Sequence, residues 1–99
     1  MLDKEVLNLP NILEVMGYKI YFWSNEFNEP IHVHISKGKP TISSTKVWLT
    51  KAGGCILANN NSHIPPKELN SLMEIVSLYY FKIVSKWKEK YGEDMQFYC

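Results

Sequence analysis

The sequence predicts an α+β domain: a small antiparallel sheet of four to five strands with one long C-terminal helix packed across one face. Three observations predict it. Short runs rich in aromatic and β-branched residues, separated by turn-forming residues, fill the chain as far as residue 58. Ile31-His32-Val33-His34-Ile35-Ser36 alternates apolar and polar residues with period two. After Pro65-Pro66, apolar residues recur at helical spacing as far as Tyr91.

The elements follow in order. Residues 12–15 and 18–23 read as two strands joined around Gly17, the second dense in aromatic side chains. Residues 24–30 (SNEFNEP) form a turn-rich segment, because asparagine and proline favour non-extended dihedrals. In the strand 31–36, Ile31, Val33 and Ile35 share one face and His32, His34 and Ser36 the other. Lys37-Gly38-Lys39-Pro40 turns the chain into a strand over 45–50. Lys51-Ala52-Gly53-Gly54 makes a hairpin-like turn into a short strand over 55–58, and NNNS at 59–62 reads as a loop.

Pro65-Pro66 can begin a helix, since proline fits its first turn, and Gly92 can end it. At roughly 100° per residue, Leu69, Leu72, Met73, Val76, Tyr80, Ile83, Val84 and Trp87 fall within about 60° of one direction. That stripe is the core face. Lys82, Lys86, Lys88 and Lys90 gather near the C-terminal end, where the helix dipole favours cations, and Glu68 lies near the start. Ile75, Leu78 and Phe81 lie off the stripe. They are either scattered surface hydrophobes or a second contact surface for a partner or another copy.

Composition bounds the function. The chain has 99 residues, 45% apolar and 21% charged, which is one domain with residues 1–9 as an N-terminal extension, 10–91 as its body and 92–99 as a tail. Eleven basic residues, all lysine, oppose ten acidic ones, for a net charge of +1. With no arginine fork and no strong field, nucleic acid is not an expected partner. The start, MLDKEVLNLP, lacks a basic-then-apolar leader, and no apolar run approaches the roughly 18 residues of a membrane span. A cytoplasmic location, no membrane partner and reduced thiols at Cys55 and Cys99 are therefore expected.

His32 and His34 are the one constellation that could carry chemistry. Imidazoles at i and i+2 on a strand point the same way, and Glu26 or Glu29 just before them could orient a ring N–H or add a ligand. His63 is also available. A zinc site needs three or four ligands, and a bare His-x-His occurs on many strands by chance. The pair is thus open to acid–base use or to a plain structural role, and no metal or cofactor is expected. Both rings are expected to be partly exposed beside the 24–30 loop. Asn25 and Asn28 in that loop, with Ile75, Leu78 and Phe81 on the helix, are the candidate binding residues. No serine sits in a Gly-x-Ser-x-Gly turn, and Gly53-Gly54 lacks the lysine of a phosphate loop.

Taken together, Tyr18-Lys19-Ile20-Tyr21-Phe22-Trp23-Ser24-Asn25-Glu26, Asn28-Glu29-Pro30 and His32-Val33-His34 resemble the signature of the small bacterial domain-of-unknown-function family 4160. That family carries an aromatic strand followed by a Ser-Asn-Glu-His-Asn-Glu-Pro-Pro-His-Val-His-Val type of run. Lys46-Val47-Trp48-Leu49 resembles its Lys-Phe-Trp-Leu strand, and Lys67-Glu68-Leu69 with Trp87 and Tyr91 its closing helix. The resemblance covers about 10–91. Phe27 departs from a histidine of the pattern and Ile31 from a proline. If that histidine completes a metal site in relatives, this chain lacks it. Members are often encoded beside proteins of another uncharacterised family, number 2442, in pairs described as toxin–antitoxin-like. The resemblance implies a cytoplasmic protein with a cognate protein partner, and it implies no reaction. Two functions follow as expectations: a protein-interaction module, or a histidine-dependent hydrolase or ribonuclease using His32, His34, Glu26 and Glu29.

Overall fold

The structure is a computed structural model that describes residues 11–22, 29–92 and 95–99. Asn25, Glu26 and Asn28, most of the 24–30 segment and the 1–9 extension lie outside the described residues. Five strands, β1 (Asn11–Val15), β2 (Tyr18–Tyr21), β3 (His32–Lys37), β4 (Thr45–Leu49) and β5 (Cys55–Asn60), precede α1 (Pro66–Leu78) and α2 (Tyr80–Tyr91). The strands form one sheet in chain order, every neighbouring pair antiparallel. This is the α+β class that the alternation and the stripe predict.

The turns explain the order. Val15 pairs with Tyr18 across a two-residue loop in which Met16 and Gly17 have φ of 57° and 81°. Positive φ at both positions matches the twist of the flanking strands, and glycine adopts it without steric cost. β5 runs to Asn60, two residues into the stretch that composition marks as loop. The Asn60 side chain accounts for this. Its Oδ1 accepts from Thr45 Oγ1 at 2.7 Å and from Ile64 N at 3.0 Å, while its Nδ2 donates to Ile64 O at 3.0 Å. It therefore holds the strand and fixes the approach to α1.

The expected single long helix is corrected to two. Tyr79 has φ −99° and ψ 21°, which ends α1 and starts α2 although neither proline nor glycine is present. The ladder continues through the break, with Tyr79 N donating to Ile75 O and Ile83 N to Tyr79 O. Tyr79-Tyr80-Phe81 is a run of modest helix propensity, so packing decides its geometry. Tyr80 is anchored there by its hydroxyl, 2.6 Å from Thr50 O, and by stacking on Phe97.

The stripe keeps its place across the break. Leu69, Leu72, Val76, Tyr80, Ile83 and Trp87 are buried in one cluster with Ile20, Phe22, Val33, Ile35, Val47 and Leu49 of the sheet region. Burial of so many large apolar side chains, each contributing about 1.5–3 kcal/mol, offsets the entropy of ordering the chain. Leu78 and Phe81 remain outside it, 77% and 82% exposed, whereas Ile75 is half-buried against the core.

The sheet and α1 are also joined by a hydrogen bond from the Tyr18 hydroxyl to Glu68 Oε1 at 2.6 Å. That bond, then burial and the Glu68 charge, push the Tyr18 hydroxyl up from 10.0 to about 12. Between these values the folded state holds a proton that the unfolded chain has lost, so stability falls as pH rises from about 10 to about 12. Tyr80, also raised by burial, acts in the same sense. Urea unfolding of Tyr18→Phe should show a shallower alkaline loss than the parent, and identical pH profiles would contradict the assignment.

Candidate functional site

β3 is buried on both faces. Ile31, Val33 and Ile35 lie fully in the core, and on the other face His32 is 0% and His34 7% exposed. The expectation that both histidines are partly exposed is thus overturned. Period-two alternation identifies a polar face correctly, but more distant chain covers this one.

Part of that cover is the connection between β3 and β4. Ser44 Oγ lies 2.9 Å from His34 Nδ1. Tyr21, paired across the strands with His34 and stacked near its ring at 5.8 Å, is itself fully buried. Its hydroxyl accepts from Thr41 N at 3.3 Å, and Ser36 Oγ donates to Lys39 O at 3.0 Å. Residues 39–44 are therefore fastened over the histidine face by polar contacts that an open loop would give to water.

Aromatic rings enclose His32. Its ring centroid lies 5.0 Å from that of His34, 5.4 Å from Trp48 and 5.4 Å from Trp87. Nδ1 sits 2.8 Å from Pro30 O, and a carbonyl only accepts, so Nδ1 carries the proton in that bond. This fixes the ring's orientation from Pro30, two residues before β3 begins.

Glu29 does not take the place expected of an orienting carboxylate. It pairs with Lys46, which is the cross-strand neighbour of His34 and also lies over the Trp48 ring at 4.4 Å. With the carboxylate about two-fifths exposed, this ion pair contributes little, about 0–1 kcal/mol. His63 is exposed in the turn after β5, at φ 56°. Among the described residues no three His, Cys, Asp or Glu side chains are placed to share a metal ion. Cys55 and Cys99 are both free. A shallow open depression lies at the β1–β2 turn, lined by Glu14, Met16, Gly17, Lys19 and Gly38, while His32 begins β3 at the strand's opposite end.

Tyr21, Ser44, Trp48 and Trp87 are the neighbours that sequence reading did not attach to the histidines. For Tyr21 the signal is strand register. For Ser44 and Trp87 there is no local signal, because their contacts span 10 and 55 residues of chain.

Fold and site define a small antiparallel meander closed by a broken helix, with a histidine pair built into its interior. A family model described as "Domain of unknown function (DUF4160)" matches residues 17–88, and the chain belongs to that family. No curated protein and no solved structure matches it. No helix among the described residues is long and apolar enough to cross a membrane.

Proposed function

We propose that the chain is a protein-interaction module of a toxin–antitoxin-like pair, acting in the cytoplasm on a cognate protein partner or a second copy of itself. The helices cover the Ile31/Val33/Ile35 face of the sheet and turn their remaining surface to the partner. One observation carries the reading. Leu78 and Phe81 flank the helix break and stand 77% and 82% exposed. Large apolar side chains exposed near one another at a surface are the kind that mark protein-contact sites. The enclosure of His32 and His34 supports it from the other side, because buried rings set among aromatics serve packing.

The alternative is a hydrolase or ribonuclease that uses His32 and His34 with Glu29 or Glu26. It is favoured by the Pro30 carbonyl at His32 Nδ1, since a ring held at one nitrogen is oriented to act through the other.

The two readings separate in an expression experiment. The chain is produced with the product of its neighbouring gene, and growth and co-purification are followed for the parent, His34→Gln and Leu78→Glu/Phe81→Glu. We expect the helix variant to lose the partner while folded His34→Gln keeps it. Growth arrest abolished by His34→Gln and untouched by the helix variant would favour the hydrolase instead.

A further inference from the structure

The helices bury one stripe and expose another. Glu74, Leu78, Phe81, Ser85 and Lys88 are exposed and Ser71 is half-buried, and these positions recur at alternating steps of three and four residues. That is the spacing of a seam along which one helix packs against another. Val76, Tyr80, Ile83 and Trp87 stay buried on the core side, so the break at Tyr79 leaves the helical phase unchanged. Leu78 and Phe81 stand at the middle of the seam, one on each side of that break, with polar or charged residues beyond them in both directions.

Two copies can meet along this seam in two directions. In parallel, a two-fold axis sets each residue against itself, so Glu74 faces Glu74 and Lys88 faces Lys88. Antiparallel, with the axis between Leu78 and Phe81, Leu78 of one copy meets Phe81 of the other, Glu74 meets Ser85, and Ser71 meets Lys88. No charge then faces its like, and the two serines are small enough to let the helices close on the central apolar pair. Net charge favours the same direction. α1 carries two glutamates and one lysine, whereas α2 carries four lysines and one glutamate. The antiparallel arrangement lays α1 of each copy along the basic α2 of the other, with Lys82 and Lys88 a turn to either side of the Ser85 that Glu74 meets.

We infer that this surface is a homodimer seam, two copies of the chain packed antiparallel about a two-fold axis between Leu78 and Phe81. This rests on the Leu78/Phe81 interaction surface proposed above and names its occupant, a second copy of the same chain. The contact is isologous, so it closes at two copies and builds no filament.

The test is disulfide cross-linking of the full chain in a Cys99→Ser background, which removes the exposed thiol. Glu74→Cys and Ser85→Cys are oxidised separately and as an equal mixture. Both positions are exposed, and within one chain they lie about 16 Å apart along the helix axis, too far for a disulfide. We expect the mixture to give covalent dimer at roughly tenfold the yield of either variant alone, because the dimer holds the two thiols at a high effective concentration. Either variant cross-linking to itself as well as the mixture does, or no cross-link in the mixture, overturns the antiparallel seam. Sedimentation of the parent chain by itself asks for the second copy without any variant, and a concentration-dependent monomer–dimer equilibrium is expected. A parent that is monomeric alone yet binds the product of its neighbouring gene overturns the homodimer and leaves the interaction role standing.

Discussion

Replacing Trp87 with alanine is expected to cost about 3–5 kcal/mol of folding stability, the range for truncating a buried tryptophan. Trp87 is 1% exposed and lies edge-on to Phe22 at 5.3 Å, beside Tyr91 at 4.4 Å and His32 at 5.4 Å. One side chain thus ties α2 to the end of β2 and to the first residue of β3. The neighbours come from separate elements whose backbones are fixed by the sheet ladder and the helix, so they cannot collapse far into the space left behind. A domain of this size has about 5–15 kcal/mol in total, so the variant should be marginal or unfolded at ambient temperature. Chemical denaturation measures the loss directly. A cost below about 1 kcal/mol would show that the ring does not fasten α2 to β2 and β3.

The double substitution Leu78→Glu/Phe81→Glu is expected to act in the opposite way. Both residues are mostly exposed, and surface changes of this kind are usually within about 0.5 kcal/mol each. The Phe81 edge contact with Tyr80 adds about 0.5–1.5 kcal/mol at most. Glutamate is a good helix former, so the backbone has no reason to change. An interface anchored on these side chains would nonetheless lose about 2 kcal/mol or more, a factor of roughly thirty in affinity. Stability falls by about 2.5 kcal/mol at most while association collapses, and the smaller stability loss separates this variant from Trp87→Ala.

The sheet was legible because its signals are local. Alternation at Ile31–Ser36, the Gly17 turn and the Gly53-Gly54 turn each define an element without help from distant chain. The apolar stripe was legible too, and all its members are buried or half-buried against the core, because helical period survives a one-residue interruption. The break itself was not. Tyr79 carries no breaker residue on either side, and its geometry follows from where Tyr80 must reach Thr50 and Phe97.

The histidine pair shows the same division. Its alignment on one strand face follows from spacing, but its burial does not. A polar face reads as solvated unless one knows that residues 39–44 fold over it and that Trp87 arrives from the far end of the chain. Glu29 was near enough in sequence to serve His32 or His34, but the strand register sets Lys46 opposite His34 and gives that carboxylate a cation.

The most direct test of the proposed interaction role is sedimentation velocity of the full chain, alone and mixed with the product of its neighbouring gene. The parent should sediment as a complex in at least one of the two samples, and Leu78→Glu/Phe81→Glu, folded by circular dichroism, as a lone monomer in both. A parent that is monomeric throughout, or a variant that associates as the parent does, would contradict it.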